Sequence, residues 1–576
     1  MPVPNEEVAA IFDEFADLLE IDDANPFRVR AYRNAARTIR SLGRELGELV
    51  AAGEDLTKLP GIGTDLAAKI VEILETGSAK ALRELHRRLP TSLETLLEIP
   101  GLGPKRVQAL YRNLGIESLE QLEEAAGAGR LEAVAGFGKK TQRHILEAIA
   151  ARRITECRYL LSTAREHAEP LTRWLRGTPG VTDVVIAGSY RRGRDTVGDL
   201  DILVAARNPE AAMKRLAKYD EVDQVTSRGE TRATVILRCG IQVDVRVVAK
   251  ESIGAALHYF TGSKAHNIAV RRLAQQRGLK VNEYGVYKGE RRIAGKTEVS
   301  VFQAVGLPYI PPTLREDRGE IDASRSGRLP VLIERGDLKG DLHSHTVETD
   351  GRADLRTMAL AARKAGLRYL AITDHSRHLT VAHGLDEGRL RTQHESISRL
   401  NEELRGITLL HGIEVDILED GSLDLPAAAL SELDLVVAAV HSQFNLSRTR
   451  QTERIIRAMD NPCFSLLAHP TGRLLNRRDP YEIDMPRIIR HARERGCFLE
   501  LNAQPERLDL NDTYCRMARE EGVLVAINSD AHGPDDFAKL DYGVVQAQRG
   551  WLERSDVLNT RPLTQLRKLL RKTMSG

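Results

Sequence analysis

The sequence predicts a multidomain chain with a helical N-terminal region, an α+β middle region and a C-terminal α/β region. Its 576 residues are too many for one hydrophobic core. A short glycine-rich turn recurs three times between helical runs in the first 150 residues. After about residue 340, apolar strand-like runs alternate with amphipathic helical runs, which is typical of parallel βα units.

The composition excludes several classes of protein. It is 42% hydrophobic and 29% charged, and no run reaches the roughly 18 apolar residues of a membrane span. The first twenty residues are acidic and amphipathic, unlike a secretion signal. Five scattered cysteines without a CxxC pair argue against a disulfide framework or a zinc ribbon, so we expect a cytoplasmic protein.

Charge gives no global indication of a nucleic-acid partner, because the net charge is only +2. An arginine-rich stretch at 28–44 is the candidate for a local basic face, although a solvated helix face explains it equally well.

The repeated turn reads LPGIGT, IPGLGP and VAGFGK in its three copies. Two glycines permit a tight turn with positive φ, which leaves backbone N–H groups exposed at a helix N-terminus. Such groups hold phosphates without reading base sequence. The alternative is helix packing without a ligand. The set resembles the helix-hairpin-helix motif of DNA repair proteins, with candidate DNA-binding glycines at Gly61, Gly63, Gly101, Gly103, Gly136 and Gly138.

Carboxylates cluster in the middle region. Asp199 and Asp201 alternate along a strand-like run and therefore point to the same face. Asp244 lies in a second alternating run at 241–248. If these strands are neighbours, the three acids converge and need cations between them; oxygen ligands suit Mg²⁺ or Mn²⁺. Two such metals would activate a 3′-hydroxyl and stabilise pyrophosphate.

A turn with the sequence GSYRRG precedes these acids and supplies phosphate ligands. Together the segments resemble the nucleotidyltransferase core of the DNA polymerase X family, which implies a beta-type palm and thumb. The resemblance implies a metal-binding, catalytic triad of Asp199, Asp201 and Asp244. It also implies nucleotide contacts from Gly188, Ser189, Arg192, Arg158, Tyr259, Phe260, Gly262 and Asn267, and places Arg271 near the template.

The chain departs from this family at two places. Gln242 stands where the beta enzyme has an arginine that assists the third aspartate. Lys69 matches the Schiff-base lysine of the 5′-deoxyribose-phosphate lyase, but Asp65 and Arg28 replace neighbouring lysines. Because a lyase amine needs a lowered pKa, Asp65 argues against that activity. Lys69 is equally well explained as an exposed helix lysine.

Histidines and acids follow the apolar runs of the C-terminal region, where a βα barrel places its active site. This region resembles the polymerase and histidinol phosphatase (PHP) domain, which implies a distorted (β/α)₇ barrel and three divalent metals. His and carboxylate ligands suit Zn²⁺, Mn²⁺ or Fe²⁺. The resemblance implies one ligand set of His343, His345, Glu414 and Asp530, a second of Glu414, His441 and His469, and a third of Asp350, His375 and His532.

The order of these parts predicts six segments. They are a helical DNA-binding domain at 1–85, a fingers-like helix-hairpin-helix domain at 86–150, a palm at 151–250, a thumb at 251–315, an extended linker at 316–338 and a PHP phosphoesterase domain at 339–576.

We therefore expect a DNA polymerase that fills gaps in base excision repair, and in end joining, with a C-terminal 3′→5′ exonuclease. Abasic endonuclease and 3′-phosphatase activities are open alternatives for the C-terminal domain. Its partners would be gapped or nicked DNA and deoxynucleoside triphosphates, with no membrane, and the protein would be a nucleoid-associated monomer. Two other readings stay open: a DNA-binding scaffold that delivers the phosphoesterase to damaged ends, and a hydrolase of small phosphate esters.

Overall fold

A computed structural model describes residues 5–42, 46–90, 92–97, 99, 101–156 and 158–574. The chain divides into two compact units, Met1–Cys157 and Arg158–Gly576. The last residue of the arginine-rich stretch, Arg44, lies outside the described residues. No helix in the described part is both long and apolar enough to cross a membrane.

The first unit is helical. Its α-helices are α1 (Asn5–Ile21), α2 (Pro26–Ser41), α3 (Leu46–Ala51), α4 (Thr64–Thr76), α5 (Lys80–Arg88), α6 (Leu93–Leu97), α7 (Pro104–Leu114), α8 (Leu119–Gly127) and α9 (Lys139–Glu156), with 3₁₀ turns at Leu56–Lys58 and Arg130–Ala133. Buried apolar residues from Val8 to Ile149 form one continuous cluster. Residues on both sides of the predicted boundary at 85 therefore pack together.

The arginine-rich stretch of this unit is partly neutralised within the described residues. Arg33 pairs with Asp17 at 2.9 Å and with Glu20 at 2.6 Å, and Arg40 pairs with Asp13 at 2.6 Å. These arginines lie on α2 and their acids lie on α1, so the pairs support the packing of the two helices.

The second unit begins with a mixed sheet. Its elements are β1 (Tyr159–Leu160), α10 (Leu161–Arg176), β2 (Val181–Ile186), α11 (Gly188–Arg191), β3 (Thr196–Val197), β4 (Asp199–Ala206), α12 (Pro209–Leu216), β5 (Val222–Arg228), β6 (Arg232–Leu237) and β7 (Gln242–Val248). The strand order is β2-β4-β7-β6-β5, with β4 and β7 parallel and the other neighbours antiparallel. The parallel pair lies at the centre of the sheet.

A small α+β subdomain follows. It contains α13 (Ile253–Thr261), α14 (Lys264–Gln276), β8 (Lys280–Asn282), β9 (Gly285–Lys288), β10 (Arg291–Ala294) and α15 (Glu298–Ala304). The three strands form an antiparallel sheet in the order β10-β9-β8.

The segment 316–338 differs from the extended linker that the sequence predicts. Glu320 begins the helix α16 (Glu320–Arg325), is fully buried and lies 2.6 Å from His266. Just before the segment, the buried Arg315 pairs with Glu298 at 2.7 Å. The charges of this region are therefore satisfied by distant partners, so the chain packs against the preceding subdomain.

The rest of the second unit is an α/β barrel. Its elements are β11 (Gly340–Asp341), α17 (Leu355–Lys364), β12 (Tyr369–Ile372), α18 (Glu387–Glu403), β13 (Thr408–Asp416), α19 (Ala427–Leu430), β14 (Leu435–Ala439), α20 (Arg448–Met459), β15 (Leu466–Leu467), α21 (Met485–Arg495), β16 (Phe498–Asn502), α22 (Asp512–Glu521), β17 (Val525–Asn528), α23 (Leu540–Arg549) and α24 (Leu563–Thr573).

Among the described residues, the seven barrel strands pair in parallel and in sequence order. A parallel bridge between Ser344 and Ala531 joins the chain after β11 to the chain after β17, so the sheet nearly closes. Alternate strand residues such as Leu410 and Val437 fill the interior, and the other face packs against the helices. The predicted fold class is confirmed, including the barrel.

Candidate active sites

Each glycine-rich turn leads directly into a helix. Gly63 and Gly103 are the N-cap residues of α4 and α7, and neither helix start has a side-chain cap. The first glycine of each turn has positive φ, for example 91° at Gly101. A Cβ built on Gly63, Gly103 or Gly138 meets nothing within 4 Å. The space beside these glycines is therefore open, which suits the phosphate contact that the sequence predicts.

Lys69 forms an ion pair with Asp65 one turn earlier on α4, and its side chain is only 12% exposed. The ion pair engages Nζ, which is the atom on which a Schiff base would form. The contact gives a structural reason for the expectation that Asp65 opposes lyase chemistry.

The three acids of the middle region meet on the central strand pair of its sheet. Asp201 on β4 is directly opposite Asp244 on β7, and Asp199 lies two residues earlier on the same face of β4. Burial, together with Asp199 and Asp244, raises the pKa of Asp201 to about 7. The structure thus brings together the three acids that the sequence predicts, and cations between them would relieve their repulsion.

Asp244 has three hydrogen-bond donors around it. Thr234 donates to Oδ1 at 2.7 Å, Gln242 donates to Oδ2 at 3.0 Å, and Arg232 donates to Oδ1 at 3.1 Å. The sequence analysis missed Arg232, which lies on the neighbouring strand β6. Gln242 keeps a hydrogen bond to the carboxylate, and the Arg232 guanidinium places a positive charge beside it.

The turn before these acids is packed against them. Gly188 has a φ of 62°, and a Cβ there would lie 2.5 Å from Asp201 Oδ2, so only glycine fits. On the same turn, Arg192 donates from Nη1 to the Thr261 carbonyl at 2.5 Å. Arg158 donates to the Thr196 hydroxyl at 2.8 Å. Burial and Asp244 raise the pKa of Asp199, and the positive charge of Arg158 acts against that rise. The predicted phosphate ligands therefore flank the acids.

The predicted sugar and base contacts lie at the end of α13 and on α14. The rings of Tyr259 and Phe260 are 5.0 Å apart, and Asn267 donates to the Tyr259 carbonyl at 2.7 Å. A Cβ on Gly262 would lie 3.2 Å from Arg192 Nη1. Arg271 donates to the Asn267 carbonyl at 3.3 Å on the next turn of α14. Gly262 therefore lies next to Arg192, which is on the turn that carries the predicted phosphate ligands.

The barrel ligands converge at the carboxyl ends of its strands. In the first predicted set, Glu414 Oε2 lies 3.4 Å from His343 and 3.6 Å from His345, and Asp530 lies 3.6 and 3.1 Å from the same histidines. Glu414 belongs to the second set through its other oxygen, Oε1, which lies 3.3 Å from His441 and 3.1 Å from His469. Glu414 is thus the centre of two sets.

The third set is also together: Asp350 Oδ2 lies 3.3 Å from His375 and 3.4 Å from His532. His375 additionally approaches Glu414 Oε2 at 2.8 Å, and His345 lies beside this set. The three groups therefore form one continuous cluster.

Several buried nitrogens in this cluster have no hydrogen-bond partner, among them His343 Nε2 and both ring nitrogens of His345. Leaving buried polar atoms unpaired is costly, so these nitrogens fit the role of metal ligands. Burial alone would raise the pKa of the Glu414 carboxyl, but His375 and its neighbours outweigh burial and hold that pKa well below its ordinary value. A deprotonated carboxylate among imidazoles fits a divalent transition metal.

Two acids that the sequence analysis did not assign orient the histidines. Glu500 accepts from His343 Nδ1 at 2.8 Å, and Asp416 accepts from His441 Nδ1 at 2.5 Å. A carboxylate on Nδ1 leaves Nε2 free to bind a metal. Glu500 sits within the otherwise apolar run of β16, and a charge in a buried strand is the sequence signal that could have identified it.

The backbone of the barrel site is strained at two ligands. His469 has a φ of 27° and Asp530 a φ of 50°, a region that residues other than glycine rarely adopt. Such strain costs about 1–3 kcal/mol per residue and is concentrated at functional sites.

Comparison with known families matches successive parts of the chain. Residues 3–79 match a helix-hairpin-helix domain and residues 93–151 match a SAM-like helix-hairpin-helix tandem. Residues 163–239 match the DNA polymerase beta palm, residues 256–316 match the DNA polymerase beta thumb, and residues 341–504 match the PHP domain.

Similar proteins cover either the whole chain or one part of it. The DNA polymerase/3′-5′ exonuclease PolX of Bacillus subtilis is 38% identical over 575 residues, which is 98% of this chain and 99% of the relative. A probable phosphatase of Thermoanaerobacter sp. is 31% identical over 232 residues, 38% of this chain and 89% of the relative. DNA polymerase lambda of Rattus norvegicus is 25% identical over 322 residues, 50% of this chain and 52% of the relative.

Proposed function

Because the chain belongs to the bacterial DNA polymerase X family, we propose that it fills gaps in damaged DNA with its palm and removes 3′ nucleotides with its barrel. The two activities reside in separate carboxylate-containing sites of one chain. The three hairpin turns would bind the phosphates of gapped or nicked DNA.

The polymerase assignment is supported above all by the register of Asp201 with Asp244. Asp199 and Asp201 would hold Mg²⁺ or Mn²⁺, and Asp244, fixed by its three donors, would face the primer 3′-hydroxyl. Divalent cations there would lower the cost of deprotonating that hydroxyl and would stabilise charge on the leaving pyrophosphate. Ser189 and Arg192 would bind the triphosphate, and Tyr259, Phe260 and Asn267 would position the sugar and base.

Primer extension across a one-nucleotide gap, with Mg²⁺ and with Mn²⁺, tests this assignment. Asp199→Ala should abolish extension, whereas Asp223→Ala, an exposed aspartate on β5 of the same sheet, should leave it unchanged. Unchanged extension by Asp199→Ala would reject the triad. If the parent protein extends the primer no more than a reaction without enzyme does, a DNA-binding scaffold is favoured instead.

The exonuclease assignment is supported by the convergence of the barrel ligands around Glu414. Zn²⁺, Mn²⁺ or Fe²⁺ bound there would activate water for attack on phosphorus and stabilise charge on the phosphoryl oxygens. Glu500 and Asp416 would hold the ligand histidines in the tautomer that leaves Nε2 available.

Release of nucleotides from a labelled 3′ end tests this second assignment. His343→Ala should stop the release. His491→Ala, a histidine on the outer helix α21 that pairs with Asp460, should not affect it. Undiminished digestion by His343→Ala would place the nuclease elsewhere.

The likeness of the barrel to a probable phosphatase favours a second candidate function, hydrolysis of a phosphate monoester. Substrates that end in a 3′-phosphate or a 3′-hydroxyl separate the two activities. Faster removal of the 3′-phosphate than of a terminal nucleotide would make phosphatase the principal activity. Cleavage of an abasic duplex tests endonuclease activity in the same assay.

We also place this activity in base excision repair and end joining, in a nucleoid-associated cytoplasmic monomer. A chromosomal deletion that increased sensitivity to alkylating agents, which create excised gaps, would support the repair role. Sedimentation of the purified protein would test the oligomeric state.

A further inference from the structure

One helix of the barrel lies directly against the palm turn that carries the predicted phosphate ligands. A Cβ built on Gly193 would lie 2.1 Å from Val545 Cγ1 of α23, so a larger residue at this position would displace the Val545 side chain. Gly193 also has a φ of 65°, which disfavours other residues. The turn therefore has direct backbone contact with the barrel.

Arg549, the last residue of α23, connects the barrel to this turn. Its side chain is only 2% exposed. Nη1 donates to the Arg192 carbonyl at 2.9 Å and to Glu316 Oε1 at 3.0 Å, while Nη2 donates to Asp512 Oδ2 at 2.6 Å. Asp512 belongs to the barrel, so the guanidinium is anchored there and reaches into the palm.

Glu316 completes the connection to the Arg192 side chain. The oxygen that accepts from Arg549, Oε1, also accepts from Arg192 Nε at 3.1 Å. Burial alone would raise the pKa of the Glu316 carboxyl, but Arg192 and Arg549 outweigh burial and keep it below its ordinary value. One carboxylate therefore separates two guanidinium groups that would otherwise repel each other.

The barrel holds a second predicted triphosphate ligand in the same way. Asn476 donates from Nδ2 to the Arg158 carbonyl at 2.6 Å. Nearby, Arg473 pairs with Asp195 of the palm at 3.2 Å. Both arginines assigned to the triphosphate are thus bonded through their backbone to residues of the barrel.

We propose that Arg549, acting through Glu316, is a positioning residue for Arg192, so that the barrel contributes to nucleotide binding in the palm. The proposal rests on the proposed function, in which Arg192 binds the triphosphate. Nε bonded to Glu316 and Nη1 bonded to the Thr261 carbonyl fix the plane of the guanidinium. A donor held in place before the ligand arrives binds more tightly, because less ordering occurs on binding.

Steady-state gap filling by the full chain tests the proposal. Arg549→Met should raise the KM for the incoming nucleotide about tenfold, the size of effect expected for one lost charge-assisted contact, with kcat changed less than about twofold. Arg549→Lys should restore part of the loss. Exonuclease activity should persist, because the barrel ligands are untouched.

Arg519→Met is the matched control. Arg519 donates to the Trp551 carbonyl and pairs with Glu553 and Asp556, all within the barrel. This variant should leave the KM for the nucleotide at the parental value. An equal rise in both variants would mean general loosening of the barrel and would overturn the proposal.

A double-mutant cycle with Arg192→Ala separates the proposal from the function on which it rests. Arg192→Ala should raise the KM, and Arg549→Met should add nothing further in that background, because it acts through Arg192. If Arg192→Ala raises the KM and Arg549→Met does not, the positioning role is wrong and the polymerase assignment stands. If Arg192→Ala itself has no effect, the assigned role of Arg192 fails.

If Arg549→Met loses exonuclease activity and no longer unfolds cooperatively on heating, that variant is misfolded. Glu316→Ala then tests the proposal from the other end of the contact. It changes no residue of the barrel and removes the carboxylate between the two guanidiniums, so the same rise in KM is expected. An unchanged KM in Glu316→Ala would overturn the proposal.

Discussion

The guanidinium of Arg232 lies 3.1 Å from the carboxylate of Asp244, which is on the neighbouring strand. Arg232→Ala should slow single-turnover gap filling about fivefold, since a half-exposed ion pair contributes about 1 kcal/mol. Arg228→Ala, on the exposed strand β5, is the control. Gln242→Arg should compensate in the Arg232→Ala background; failure to compensate would argue that Arg232 does not replace the missing charge.

The metal requirement of the palm should depend on pH. Burial and the adjacent carboxylates raise the pKa of Asp201 to about 7, and a carboxylate must be deprotonated to bind a cation. As the pH falls below about 7, protons compete more strongly and the Mg²⁺ concentration for half-maximal extension should rise; well above pH 7 it should be constant. A requirement independent of pH between 6 and 8 would contradict this prediction.

The hairpin turns can be tested by substitutions that separate helix capping from anion binding. Gly103→Asp should improve the cap of α7, because aspartate is a favoured N-cap residue, yet its charge should repel a phosphate. We expect an unchanged or raised melting temperature and about tenfold weaker binding of gapped DNA. Gly103→Asn caps without charge, but its amide oxygen accepts from one of the N–H groups that the phosphate would use, so its DNA binding should lie between that of the parent and that of Gly103→Asp. Equal binding by both variants would place the phosphate elsewhere.

Glu500→Gln should weaken metal retention in the barrel. The change removes the carboxylate that accepts from His343 Nδ1, and such changes cost about 10–100-fold in metal affinity or activity. Mass spectrometry after dialysis should show lower metal content, exonuclease activity should fall, and gap filling should stay normal. Glu506→Gln, an exposed glutamate shortly after β16, is the control. Full metal content in Glu500→Gln would contradict the prediction.

Asp65→Asn should increase the reactivity of Lys69 toward abasic DNA. The ion pair with Asp65 engages Nζ, the atom on which a Schiff base forms, and removing the carboxylate frees that atom to approach an abasic aldehyde. Borohydride trapping on an incised abasic duplex should give weak labelling of the parent and stronger labelling of Asp65→Asn. Labelling that survives Lys69→Ala would assign the chemistry to another amine.

The sequence predicts site residues best where carboxylates alternate along a strand. Alternation put Asp199 and Asp201 on one face, and Asp244 lies in an equally clear alternating run. The barrel ligands follow apolar runs closely enough for their positions to be predicted, with the family resemblance supplying the grouping. What these residues do in catalysis stays a prediction until the variants are measured.

Long-range contacts escaped prediction. Arg232 acquires its role only through the register of β6 against β7, which periodicity cannot give. The charge-rich segment 316–338 is predicted to be an extended linker, but Glu316 pairs with Arg549, which lies more than 200 residues later in the chain. The local sequence pattern indicates whether a residue is polar, but it does not indicate which distant residue will be its partner.

The two oxygens of Glu414 face different histidine pairs, so a single side chain serves two coordination sets. Cations held in both sets would share the negative charge of this carboxylate and repel each other, so loss of one would strengthen retention of the other. Occupancy of the barrel should therefore be interdependent, and titration with a chelator should remove the cations in separate, widely spaced steps.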